Sequence, residues 1–297
     1  MNSDTGVSPN DDIAIDVPLS RPLPILKWAG GKRSLLGEIR RYLPLKMNTY
    51  YEPFVGGGAL FFALVSDDFA GRPFRRAVLG DANAELISCY RALRSDPSGV
   101  MHALGAHRDG EAHFYDTRAQ NPAALSDAAR AARMIYLNRN GYNGLYRVNR
   151  SGQFNVPFGK YATLRTVGTE RLLAAARALQ DIDLVVGDFE ACVEAAGPRD
   201  FLYFDPPYVP VSATSDFTTY SEGGFGNAHQ ERLAALMRRL RRQKVRALLS
   251  NSDCPTTRAL YKGLPMKQVE VRRSINSVAA RRGGVQELLV RSFDYSC

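Results

Sequence analysis

Residues 201–208, Phe-Leu-Tyr-Phe followed by Asp205-Pro206-Pro207-Tyr208, limit this chain more than any other stretch. Four apolar residues in a row read as a strand buried on both faces, and such strands belong to sheets covered by helices. Two prolines then remove two backbone donors and fix φ at about −65°, so the strand stops with its next carbonyl held still. An acid, a rigid backbone oxygen and an aromatic ring are thereby gathered at the mouth of a sheet. A carboxylate and a carbonyl can each accept one hydrogen of an amino group, while the ring offers a flat base a face to stack on. That combination suits an exocyclic amine of a nucleobase, whose lone pair is delocalised until the nitrogen is drawn towards tetrahedral geometry. For the tetrapeptide alone, a strand-ending Pro-Pro turn beside an incidental aspartate is the competing reading.

The rest of the chain supplies an α/β rhythm. Ile25-Leu26 lead into Lys27-Trp28-Ala29-Gly30-Gly31-Lys32 and a helical pattern through Leu35, Leu36, Ile39 and Leu43. Tyr50 to Val55 reads as a strand start running into Gly56-Gly57-Gly58 and a helix-like 59–64, and Ala77-Val78-Leu79 as a strand ending at Asp81. Strand, glycine turn, helix, strand and acidic residue are the signature of a nucleotide-binding half. From Glu85 to Arg139 the pattern is helical, and 141–161 is a loop dense in Tyr, Phe, Asn, Arg and Gly; a helix resumes at 169–179. Strands are predicted at 183–186, 201–204, 245–249 and 288–290, with an amphipathic helix at 228–243 whose Arg238, Arg239, Arg241 and Arg242 face solvent. We expect an acidic disordered tail at 1–20, a discontinuous α/β domain at 21–83 and 168–297, and a helical recognition unit at 84–167.

Several classes are disfavoured. Position 61 is Phe, so the glycine turn lacks the spacing of a dinucleotide fingerprint. Gly30-Gly31-Lys32 lacks the first glycine and the Ser/Thr of a phosphate loop. Cys89, Cys192, Cys254 and Cys297 are scattered, and the four histidines show no metal or triad spacing, so neither a disulfide framework nor a metal is expected. No apolar run approaches the roughly 20 residues of a membrane span, and the first 20 residues carry four Asp and no Lys or Arg, unlike a signal peptide. A cytoplasmic protein is expected. The net charge of +9 favours a polyanionic partner.

Taken in order, the motifs resemble the DNA adenine methylase (Dam) family. They are Leu-Lys-Trp-Ala-Gly-Gly-Lys at 26–32, Glu-Pro-Phe-Val-Gly-Gly-Gly at 52–58, Tyr-Leu-Asn-Arg at 136–139, Gly-Tyr-Asn-Gly-Leu at 141–145, Phe-Asn-Val-Pro-Phe-Gly at 154–159, Asp-Pro-Pro-Tyr at 205–208 and Arg-Arg-Ser-Ile at 272–275. The resemblance implies a class I, Rossmann-like S-adenosylmethionine-dependent methyltransferase fold with an inserted helical DNA-recognition domain. It also implies methylation of adenine in duplex DNA by base flipping, within GATC, with S-adenosylhomocysteine as product. Trp28, Lys32, Phe54, Gly56, Gly58, Asp81 and Asp205 would contact or shape the donor site, and Asp205, Pro206, Pro207 and Tyr208 would hold the flipped base. Lys27 and Arg147 would read bases, Tyr142, Asn143 and Leu145 would fill or flank the vacated stack, and Pro157 would touch a thymine methyl. Arg139 and Lys160 are further expected DNA contacts, with Arg150, Arg272, Arg273, Arg281 and Arg282 on phosphates. A restriction endonuclease is the protein partner such an enzyme can serve. The acidic tail, Tyr146 and Val148, and the extra glycine of the 56–58 turn depart from the family pattern. A catalytically silent DNA-binding protein on the same fold is the alternative, and the intact Asp-Pro-Pro-Tyr argues against it.

Overall fold

The computed structural model describes residues 21–28, 30, 32–66, 72–149, 151–210, 225–271 and 285–294. The 1–20 tail, Arg150, Arg272, Arg273, Arg281, Arg282 and Cys297 lie outside the described residues.

Seven strands form one sheet: β1 (Met47–Glu52), β2 (Phe74–Asp81), β3 (Ile182–Val186), β4 (Phe201–Phe204), β5 (Arg246–Ser252), β6 (Met266–Val271) and β7 (Val285–Arg291). Their order is β3-β2-β1-β4-β5-β7-β6. The first five are parallel, and β7 enters antiparallel between β5 and β6. This is a Rossmann-like methyltransferase architecture, as expected. The order reverses between β1 and β4, and in such sheets ligands bind beyond the carboxyl ends of the strands at that point.

Period-2 alternation divides the core. Phe201 and Tyr203 of β4 pack with Tyr50, Leu79 and Leu248 on one face, whereas Leu202 and Phe204 join Tyr51 and Leu249 on the other. The second face is covered by α8 (Phe189–Cys192), α9 (Asn227–Arg242) and α10 (Pro255–Leu260). In α9 Leu233, Leu236, Met237 and Leu240 are buried at helical spacing. Arg239 and Arg242 are exposed, as expected. Arg238 instead donates to the Leu260 carbonyl and Arg241 pairs with Asp294 at 2.9 Å.

The first face carries α1 (Leu36–Arg40), α2 (Ala59–Leu64), α3 (Ala84–Ser95) and α7 (Thr169–Ala178). Between α3 and α7 the chain forms α4 (Pro97–Gly105), α5 (Glu111–Ala119) and α6 (Asp127–Asn140). Side-chain caps start three of these helices where the sequence offers Asn83, Asp96 and Ser126. One apolar cluster runs unbroken from Tyr50 and Leu79 through Leu86 and Leu93 to Phe114 and Ile135. The helices are thus welded to the sheet. Strand β6 was not expected: Met-Lys-Gln-Val-Glu-Val alternates polar and apolar residues at a sheet edge and lacks the continuous apolar run of the central strands.

Candidate active site

The carboxyl ends of β1, β2, β4 and β5 converge on Asp205. Directly after β4, its Oδ1 pairs with Lys32 Nζ at 3.0 Å and accepts from the Ser250 hydroxyl at 3.0 Å. Burial pushes the Asp205 carboxyl upward, and the adjacent Lys32 ammonium opposes that. Lys32 is itself buried, donates to the Gly30 carbonyl at 2.6 Å, and stands 4.5 Å from the centre of the Tyr208 ring. Pro206 is buried and Pro207 exposed.

A second layer fixes this turn. The Tyr208 hydroxyl donates to Glu287 Oε2 at 2.6 Å. Gln230 donates to the Pro207 carbonyl at 2.8 Å, and Asn251 Oδ1 accepts from the Val209 N–H at 3.0 Å. Ser250 also meets the Tyr203 hydroxyl at 3.0 Å. The polar run Ser250-Asn251-Ser252, buried at the end of an apolar strand, therefore holds the loop that carries the acid.

The glycine turn lies beside it. Gly56 and Gly58 have φ of +46° and +67°, the left-handed region open to glycine. The Gly56 N–H donates to Asp81 Oδ2 at 3.1 Å, and the Tyr90 hydroxyl donates to the Gly56 carbonyl at 2.8 Å. Trp28 lies over the turn so closely that a Cβ on Gly56 would stand 2.6 Å from its Cδ1. Asp81 also accepts from the Asn83 N–H at 2.9 Å, and burial raises its carboxyl against these two bonds. Phe54 stacks on Phe189 at 5.5 Å and meets Phe225 edge-on at 5.3 Å. The residues predicted around the donor and the base are thus brought to one edge of the sheet. Two clefts of about 400 Å³ each lie at the strand beginnings, among Thr49, Arg76 and Asp183 and among Lys46, Arg75, Arg199 and Arg246, and hold none of the predicted residues.

The reading loop is an ordered finger. Asn149 and Gln153 close its tip with a 2.8 Å backbone bond, and Val148 bridges to Phe154. Tyr142, Asn143, Arg147, Pro157 and Lys160 are exposed on it, with Asn143 and Lys160 at positive φ. Leu145 is half-buried against the core. Arg147 donates to Asn155 Oδ1 at 2.7 Å, which presets its guanidinium. Lys27 is half-buried, its stem on Gly144 and its ammonium 5.6 Å from the Tyr161 ring centre. Arg139 is half-buried on α6, where its Nε and Nη2 donate to the Ile25 carbonyl at 3.0 and 2.6 Å.

Four further parts of the site were given no role by the sequence. Glu52, fully buried, accepts from the Tyr50 hydroxyl and the Phe61 N–H at 2.8 and 3.1 Å. Asp188-Phe189 follow β3 just as Asp81 ends β2. Asn138 is buried between Lys27 and Gly144, accepting from the Lys27 N–H and donating to both carbonyls. Glu287 on β7 anchors Tyr208.

A parallel sheet with an antiparallel β7, a glycine turn after β1 and an acid-Pro-Pro-aromatic turn after β4 define a methyltransferase of the nucleic-acid type. The chain belongs to the D12 class N6 adenine-specific DNA methyltransferase family, which it matches over residues 28–275. It is 38% identical to the type II methyltransferase M1.LlaDCHI of Lactococcus lactis, covering 91% of this chain and 95% of that one. It is 35% identical to the type II methyltransferase M.MjaIII of Methanocaldococcus jannaschii, covering 91% and 99%. It is 34% identical to the DNA adenine methylase of Haemophilus influenzae, covering 92% and 94%. The chain is an adenine-specific DNA methyltransferase. Among the described residues no helix is long and apolar enough to cross a membrane.

Proposed function

We propose that this enzyme methylates an adenine turned out of duplex DNA, within GATC, and that S-adenosylmethionine is its methyl donor. The observation that carries the reading is Asp205, held by Lys32 and Ser250 beside the buried Pro206 at the point where strand order reverses. The site suits the donor in shape and charge. Gly56 and Gly58 admit close backbone approach, Asp81 offers a carboxylate to ribose hydroxyls, and Phe54, Phe189 and Phe225 would hold a purine. Trp28 and Lys32 would border it. When bound, the donor supplies a methyl group made electrophilic by a neighbouring sulfonium.

The chain's own residues then act on the adenine. Asp205 and the Pro206 carbonyl accept the two amino hydrogens, which frees the nitrogen lone pair. Tyr208, fixed by Glu287, gives the flipped ring a face. No strong base is needed in advance, because the nitrogen becomes acidic once methylated. Asp205, whose carboxyl burial raises, is placed to take that proton. Much of the rate comes from alignment.

The segment 84–167 serves as the recognition unit, with Arg147 and Lys27 reading bases, Tyr142, Asn143 and Leu145 at the vacated stack, Pro157 on a thymine methyl, and Lys160 on the backbone. The work is done in the cytoplasm, on chromosomal or invading DNA. The names of two relatives support a paired restriction endonuclease as partner. Expression in cells lacking adenine methylation, followed by single-molecule sequencing, tests the reading. N6-methyladenine in GATC is expected, and none from Asp205→Ala. Modification at another base, or an active Asp205→Ala, refutes it.

A further inference from the structure

A ring in the reading loop leans on the donor side of the sheet. Tyr146 lies flat against Trp28, with centroids 5.4 Å apart and an interplanar angle of 19°. It meets Phe154, across the finger, edge-on at 5.8 Å and 64°. Beneath the glycine turn, the Asn83 N–H donates to Asp81 Oδ1 at 2.9 Å. Trp28 rests directly on Gly56. Tyr146 therefore touches the indole that lies over the glycine turn. In the chain it sits between Leu145 and Arg147, the residues that meet DNA.

A half-buried ring clamped in this way cannot follow a shift of the finger without disturbing Trp28. Contact of Arg147 with its base moves or steadies the backbone next to Tyr146. The stack passes that change to the indole and so to the glycine turn beneath it. Lys27 on Gly144 and Asn138 between them also tie the finger to the 24–28 backbone, but of these only Tyr146 stacks on the indole that covers Gly56.

We propose that Tyr146 is a positioning residue through which target reading and donor binding strengthen each other. The inference rests on the donor and target readings above. If the cognate duplex tightens the donor, the donor must tighten the cognate duplex by the same factor.

Trp28 is the chain's one tryptophan, so its emission reports the stack directly. The experiment titrates S-adenosylhomocysteine into the full chain, followed by that emission and by calorimetry. Titrations are run without DNA, with a duplex carrying the mapped target, and with a scrambled duplex. In the wild type the target duplex is expected to tighten binding about 5-fold or more, the lower end of usual coupling, and the scrambled duplex not to. Tyr146→Ala is expected to bring that factor to within about 2-fold of unity, and Tyr146→Leu, which fills the space without a stack, to do the same. Tyr146→Phe, which keeps the ring, should retain most of it. A factor unchanged in both Tyr146→Ala and Tyr146→Leu, or a wild-type factor of one, overturns the proposal alone. A wild type that does not bind S-adenosylhomocysteine overturns the donor reading and this inference with it.

Discussion

Replacing Glu52 by glutamine should remove a pH dependence built into the end of β1. Glu52 is 3% exposed and accepts two hydrogen bonds, from the Tyr50 hydroxyl and the Phe61 N–H. Burial is the larger influence on its carboxyl and the Asp205 charge adds to it; together they outweigh those bonds and push it from 4.5 to about 8. The folded state therefore holds a proton that the unfolded chain releases, so stability falls as pH rises between those two values. The contribution is complete below about 4.5 and gone above about 8. At about 1.4 kcal/mol per pH unit it totals on the order of 5 kcal/mol. Glutamine has the same shape and no charge at any pH. Urea unfolding followed by circular dichroism, at steps from about pH 5 to pH 9, measures the difference between the two proteins. Wild type should lose several kcal/mol relative to Glu52→Gln across that interval. Asp81 and Asp205 are also raised by burial and act in the same direction, but both are present in each protein and largely cancel. Parallel curves across the interval would refute the reasoning.

Lys32→Met removes the ammonium that opposes burial at Asp205; the acidic limb of the single-turnover methylation rate should move to higher pH, and an unmoved limb contradicts the pairing. Gly56→Ala forces a side chain into a position with φ of +46° and 2.6 Å from Trp28. Calorimetry should show S-adenosylhomocysteine affinity reduced about tenfold or more, with salt-dependent DNA binding retained. Arg147→Ala should cost about 1–3 kcal/mol of discrimination against the target changed at the base it reads, measured by competition between duplexes. Asn138→Ala leaves the buried Lys27 N–H and two carbonyls without their amide partner, and should destabilise the protein by about 1–3 kcal/mol in denaturant titration.

The parts of the fold legible in the sequence were those where one physical demand overrides the others. Phe201–Phe204 had no alternative to a buried strand, and Pro206-Pro207 had to end it. The glycines at 56 and 58 marked positive φ because no other residue adopts it so readily. Strand β6 escaped because edge strands are half solvated and their alternation is weak over six residues. Partners distant in the chain escaped for a different reason. Nothing near Glu287 indicates that it will receive the Tyr208 hydroxyl 79 residues away, and nothing near Ser250 points to Asp205. Local sequence shows the charge of Arg139 but not its direction, which its place on α6 sets towards the Ile25 carbonyl. Asp188-Phe189 were the avoidable omission, since an acid closing a predicted strand is the same cue that singled out Asp81.

The ties on the 24–28 segment bear on how the enzyme matures. Arg139 holds the Ile25 carbonyl, Asn138 holds Lys27, and Arg171 holds the Pro24 carbonyl, at separations of 111 to 147 residues. Trp28 and Lys32 emerge early from the ribosome, yet the clasps on the 24–28 segment are translated more than 100 residues later. A nascent chain stalled before α6 would carry the glycine turn with none of these clasps made. The seat of Trp28 is thus completed only after the helical segment 84–167 has largely been made, so the start of the chain waits on its middle.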